Sequence, residues 1–146
     1  MVFLAYRGAG VEVPGLSAEP RTVEAARTAL QHAIDRSAAG DAGGAWDLLS
    51  KRGQAAVSRA DYIAYAQACP GIRGLTGEVT DVRLLTSDRA VGILKVLTFA
   101  VQMVAVYESG HWKWEPDAEQ VERRSRPLAE QIAAAHADGS CQPGTS

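Results

Sequence analysis

The feature that most constrains this chain is a change of period near Thr76. Before it, apolar residues recur at helical spacing. After it they alternate, and an alternating run presents its apolar residues on one face of a sheet. "EVTDVRLL" alternates around Val79, Val82 and Leu84, and Ser87 with Asp88 makes a turn. "RAVGILKVL" and "TFAVQMVAVYE" follow, rich in β-branched and aromatic residues, and Ser109 with Gly110 turns the chain into a last strand, "HWKWE". No turn residue parts the two middle strands, so a tight turn at Leu97 and Thr98 competes with one long, bent strand.

Upstream of the switch, Val23, Ala26, Leu30, Ala33, Ile34 and Ser37 define one buried helix face. Ser17 is its expected cap, Glu19 and Pro20 suit its first turn, and Gly40 ends it. Asp41 caps a shorter helix through "AGGAWDLLS", whose two glycines weaken its start. Ser58 with Asp61 resembles a capping box opening "SRADYIAYAQACP", which Pro70 and Gly71 stop. Beyond the strands, Pro116 leaves the sheet, "DAEQVERRS" is helical, Pro127 interrupts it and "LAEQIAAAHA" resumes. Helices grouped before strands imply an α+β fold, the N-terminal helices covering one face of an antiparallel sheet. The expected division is an arm over 1–19 with a short strand at 11–13, a domain over 20–116, a helical extension over 117–137 and a disordered tail over 138–146.

The chain of 146 residues is long enough for one domain with a real core, and 47% hydrophobic with 22% charged residues suits a globular one. A net charge of −2 leaves no basic excess to neutralise phosphates, so no nucleic-acid partner is expected; Arg123, Arg124 and Arg126 read as a solvated helix face. Cys69 and Cys141 lack paired metal-ligand spacing, and neither a metal nor a cofactor is expected. A disulfide would need the polar tail to fold back, so Cys69 is expected to be a small buried hydrophobe. The first apolar run is shorter than a secretory signal requires, and no later run is long enough to span a bilayer. A cytoplasmic protein without membrane partners is the expectation.

The "AWDLLS" helix, the "SRADYIAYAQACP" helix and the closing "YESGHWKWEPDAE" hairpin resemble the nuclear transport factor 2-like superfamily over roughly residues 20–117. The likeness is greatest to its small actinobacterial members of unassigned function, which pair Ala-Trp-x-Leu-Leu-Ser with a final Trp-x-Trp strand. The resemblance implies a cystatin-like, cone-shaped, barrel-like fold: a curved sheet wrapped around helices, with an internal cavity. The superfamily includes isomerases, polyketide cyclases, dehydratases, epoxide hydrolases and pure binding proteins, so the fold does not choose among them.

Two functions are weighed on that basis. The first is a non-catalytic domain binding a small apolar ligand or a protein. Trp46, Phe99, Met103, Tyr107, Trp112 and Trp114 are its candidate ligand contacts. For Trp46, Trp112 and Trp114 a core-packing role is the stronger reading. The alternative is an enzyme of the polyketide cyclase or isomerase type. It needs a desolvated carboxylate as base, Asp35 or Asp47, and a hydroxyl donor, Tyr62 or Tyr65. His32 could share a face with Asp35. The opposite side of the third strand, with Thr98, Ala100, Gln102, Val104 and Val106, is apolar for a solvent face. Cover by the C-terminal helix, or homodimerisation through this face, is expected.

Overall fold

A computed structural model describes residues 18–70 and 77–141. The elements run α1 (Val23–Ala38), α2 (Ala42–Asp47), α3 (Lys51–Ala56), α4 (Arg59–Ala68), β1 (Glu78–Thr86), β2 (Arg89–Val96), β3 (Phe99–Glu108), β4 (His111–Glu115), α5 (Ala118–Arg124) and α6 (Leu128–Ala137). The strands pair in chain order as an open antiparallel sheet, with β1 and β4 at its ends. The expected α+β class holds, with helices before the sheet and helices after it. Both hairpin turns fall where the turn residues put them. The contested junction between the middle strands is a tight turn, with Leu97 in the left-handed region at φ 51°. Residues 11–13 lie outside the described residues.

One bulge explains an irregular spacing. Val79 and Val82 are three apart yet both buried, which strict alternation forbids. The register skips between Thr80 and Arg83, and Asp81 takes φ 54°, so Val82 turns inward beside Val79. Gly92 lies opposite, where a Cβ would stand 2.9 Å from Val82 Cγ2; the glycine makes room for the bulged valine.

Helix α1 lies across one face of the sheet with the face its spacing predicted. Ala26 and Leu30 pack with Val79, Val82, Ala90, Met103, Ala105 and Trp112. The helix starts later than expected: Thr22 is its cap, accepting from Ala25 N at 3.2 Å. Gln31 reaches from α1 to the start of β1, donating to Gly77 O at 2.8 Å and accepting from Val79 N at 2.9 Å. It thereby satisfies backbone groups that a neighbouring strand would otherwise pair.

The "AWDLLS" stretch divides into two short helices. Asp41 caps α2 and Ser50 caps α3, each accepting a backbone N–H. Between them the chain runs beside β4: Ser50 N donates to Trp114 O at 2.8 Å and Trp114 N to Leu48 O at 2.9 Å. Ser50 is fully buried, and its hydroxyl also donates to Glu115. Trp46 is half-buried and donates from Nε1 to Val57 O at 2.8 Å, which ties α2 to the end of α3. It is an anchor between helices. The indole buried in the sheet core is Trp112, 2% exposed, which donates to Pro20 O.

The C-terminal helices correct two expectations. Helix α6 packs against α4 and α5, so of the two covers expected for the second sheet face, this helix or a second subunit, it is not the helix. Cys69 and Cys141 form a disulfide with Cα atoms 5.0 Å apart, and Cys141 is buried. The chain after α6 does fold back. Asp138 turns it, accepting from Ser140 N and Oγ, and Cys141 N donates to Ala135 O at 3.0 Å.

Candidate ligand-binding cleft

Tyr62 and Tyr65 stand three apart on α4 and so share a face. Arg124, the last residue of α5, lies over both rings, its guanidinium carbon 4.8 Å from one centroid and 4.6 Å from the other. Burial pushes the Tyr62 phenol above its ordinary pKa against the opposing pull of Arg124, so it stays protonated at neutral pH. It can donate a hydrogen bond.

A cleft of about 520 Å³ opens over this pair of rings. The end of α1 and the start of α2 supply Ser37, Gly40 and Asp41; α4 supplies Tyr62, Ile63, Tyr65 and Ala66; Cys69 and Arg124 close it. Its rim is charged and internally paired. Arg59 holds Asp47 through two contacts, 3.0 and 3.2 Å, and that partner raises the guanidinium pKa. The Gly44 N–H and the Arg36 guanidinium hold the Asp41 carboxyl below the usual range.

Behind Arg124 lies a smaller pocket of about 220 Å³ between α4, α5 and α6, lined by Tyr65, Arg124, Gln131 and Ser140 among others. Gln131 is 5% exposed. Its Nε2 donates to the carbonyls of Arg124 at 3.2 Å and Arg126 at 2.9 Å. Two acceptors in those places fix the amide orientation, since Oε1 there would be repelled. That leaves Gln131 Oε1 buried without a partner, and Arg124 Nη1 is in the same condition. Among the described residues no carboxylate forms an ion pair with Arg124.

The candidate residues scatter around this geometry. Tyr62 and Tyr65 line the cleft. Asp47 is exposed and held by Arg59; Asp35 is exposed on α1 and accepts from Gln31 at 3.1 Å. His32 is exposed and meets Arg36, 3.1 Å away. Met103 and Trp112 belong to the packed core, and Tyr107 meets Trp112 edge-on with the Arg21 guanidinium over its ring, 4.0 Å from the centroid. Trp114 packs on the core's margin, and Phe99 is 55% exposed on the sheet. Of the basic cluster, Arg123 and Arg126 form helix-surface pairs with Glu119 and Glu122, as a solvated face should; Arg124 turns inward and departs from it. No periodic signal marks it, because its helix ends at Arg124 and Pro127 breaks the chain before Leu128. Cys69, His136 and Cys141 bring possible metal-ligating atoms within 4.8 Å of one another, but both sulfurs are spent in the disulfide. No protein-family model matches the chain, and no curated protein matches it significantly.

Proposed function

We propose that this chain is a non-catalytic domain of nuclear transport factor 2-like type that binds a small, partly apolar ligand in the cleft over Tyr62 and Tyr65. The observation that carries the reading is the contrast of spaces. Leu30, Met103 and Trp112 fill the region between α1 and the sheet, where the resemblance puts a cavity; a volume of drug-like size stands open at the helices. The cyclase or isomerase reading takes second place. It asks for an acid and a hydroxyl converging in an apolar interior, and Asp35 and Asp47 are both exposed.

Titration with benzyl alcohol, followed by amide chemical shifts, tests the proposal. Saturable shifts should gather at Tyr62, Ile63, Tyr65 and Ala66, and Ala66→Trp, which fills the cleft, should abolish them. Shifts gathered instead at Phe99 and Val101 on the sheet would remove the cleft from the account.

The assembly we favour is a homodimer through the second sheet face, supported by half-buried Ile93, Val104 and Val106 there. Sedimentation that stays monomeric at high concentration would exclude it. No helix of the described residues is long and apolar enough to cross a membrane. The disulfide supports an oxidising compartment over the cytoplasm that the sequence suggested, because such bonds persist where thiols are not kept reduced. Finding both cysteines free to react with a thiol reagent in protein taken from its native cells would reverse that assignment.

A further inference from the structure

We propose that Cys69, His136 and Cys141 become a zinc site when the disulfide between the two cysteines is reduced. The inference is independent of the cleft reading.

The three donors come from three places in the chain. Cys69 ends α4, His136 lies in the last turn of α6, and Cys141 follows the turn beyond that helix. Their ligating atoms all lie within 4.8 Å of one another. Zinc takes thiolate at about 2.3 Å and imidazole at about 2.0 Å, so a tetrahedral site sets sulfur and nitrogen roughly 3.5 Å apart. Cys141 Sγ and His136 Nε2 stand 3.7 Å apart, so one edge of the tetrahedron is in place with the disulfide closed.

The other requirement is that the two sulfurs part to about 3.8 Å around the ion. With Cα atoms 5.0 Å apart, side-chain rotation suffices and the backbone can stay where it is. The bonds that hold that backbone do not depend on the sulfur link. Cys69 N donates to Tyr65 O at 2.8 Å, Cys141 N donates to Ala135 O at 3.0 Å, and Asp138 accepts from Ser140 in the turn between α6 and Cys141. An ion has a way in, since His136 is exposed and Cys69 is half-buried on the cleft wall; buried Cys141 closes the inner side.

The chemistry balances with a small thiol as reductant. Two of its molecules give two electrons and two protons to the bond, leaving two cysteine thiols and one small disulfide. Zinc then displaces both thiol protons, and the two thiolates cancel its charge; neutral His136 binds through Nε2 and water takes the fourth position. Two sulfurs with an imidazole suit zinc and not magnesium or calcium. A small disulfide takes the two electrons back, rebuilds the bond and expels the ion. In oxidising surroundings the disulfide stands, and the zinc form belongs to reducing ones.

The test reduces the full chain with a water-soluble phosphine, removes it without air, and titrates zinc against a chromophoric chelator. The reduced chain should bind one zinc ion and the oxidised chain none. Cobalt in its place should show sulfur-to-metal charge transfer and the intense visible bands of a tetrahedral ion. His136→Ala should still form the disulfide, and when reduced should lose more than about a hundredfold in zinc affinity, since even an outer-sphere partner is worth up to about that much. Hydrogen exchange over α6 should quicken on reduction and slow again with zinc. Equal zinc affinity of reduced His136→Ala and the reduced native chain would overturn the proposal. So would zinc binding that is the same in the oxidised chain, no uptake by the reduced chain, or a loss of α6 on reduction that zinc does not repair.

Discussion

Where α1 crosses the sheet, side chains fill the space and its polar groups are matched: Gln31 meets β1 on both sides of its amide, and Trp112 Nε1 meets Pro20 O. Around α4, a cleft opens toward the end of α1 and the start of α2 and a smaller pocket toward α5 and α6; among the described residues Arg124 Nη1 and Gln131 Oε1 are buried without partners, and a disulfide joins the end of α4 to the chain after α6. The first region is packed between helix and sheet, and its open space, about 410 Å³, lies along α1 beside Leu48 and Trp112. The second has open volume and unmet polar demand, with a cross-link doing part of what packing does in the first. Unsatisfied buried groups are few in folded proteins, and here two fall on residues of adjoining helices, Arg124 and Gln131.

Breaking each region should read out differently. Trp112→Ala removes the indole at the centre of the sheet core and should cost about 3–5 kcal/mol of unfolding free energy in denaturant titration. Paired Cys69→Ser and Cys141→Ser substitutions should cost about 2–4 kcal/mol, since the bond closes a long loop. Hydrogen exchange in that variant should accelerate most in α6 and least in α1 and β2. Ser50→Ala should cost about 1–2 kcal/mol, losing the α3 cap and the donor to Glu115 together. Leu97→Asn should raise stability by about 0.5–1 kcal/mol, because leucine is strained in the left-handed region that asparagine tolerates.

The smallest effect is a dependence on pH. The Ser140 hydroxyl and then its N–H hold the Asp138 carboxyl below its ordinary pKa. A carboxylate depressed in the folded state stabilises the fold above its unfolded pKa and loses that contribution as pH falls through the folded one. The turn leading into Cys141 should therefore loosen below about pH 4, and Asp138→Asn should flatten that part of the acid titration.

The elements were legible because their signals are local. Period, capping residues and turn residues located the core helix face, the two outer strands, the turns at Ser87 and Ser109 and the break at Pro127, and left open the junction of the two middle strands, where the chain turns at Leu97. The separate helix α3 was hidden because "KRGQAA" carries no apolar stripe; it forms on its Ser50 cap and its packing against Pro116. The disulfide and Arg124 were hidden for a different reason. Both depend on how α5 and α6 return to α4, a long-range relation that no window of sequence contains. A candidate list drawn from large aromatics therefore pointed mainly to the core, and only Tyr62 and Tyr65 from the acid-and-hydroxyl set met at the cleft.

The central claim is that ligand meets the helical region and not the interior under the sheet. Incorporated 3-fluorotyrosine reports both at once, since Tyr62 and Tyr65 wall the cleft while Tyr107 packs on Trp112. During a benzyl alcohol titration the fluorine resonances of residues 62 and 65 should move together to saturation while that of residue 107 stays in place. Movement at residue 107 with the other two unchanged would contradict the account.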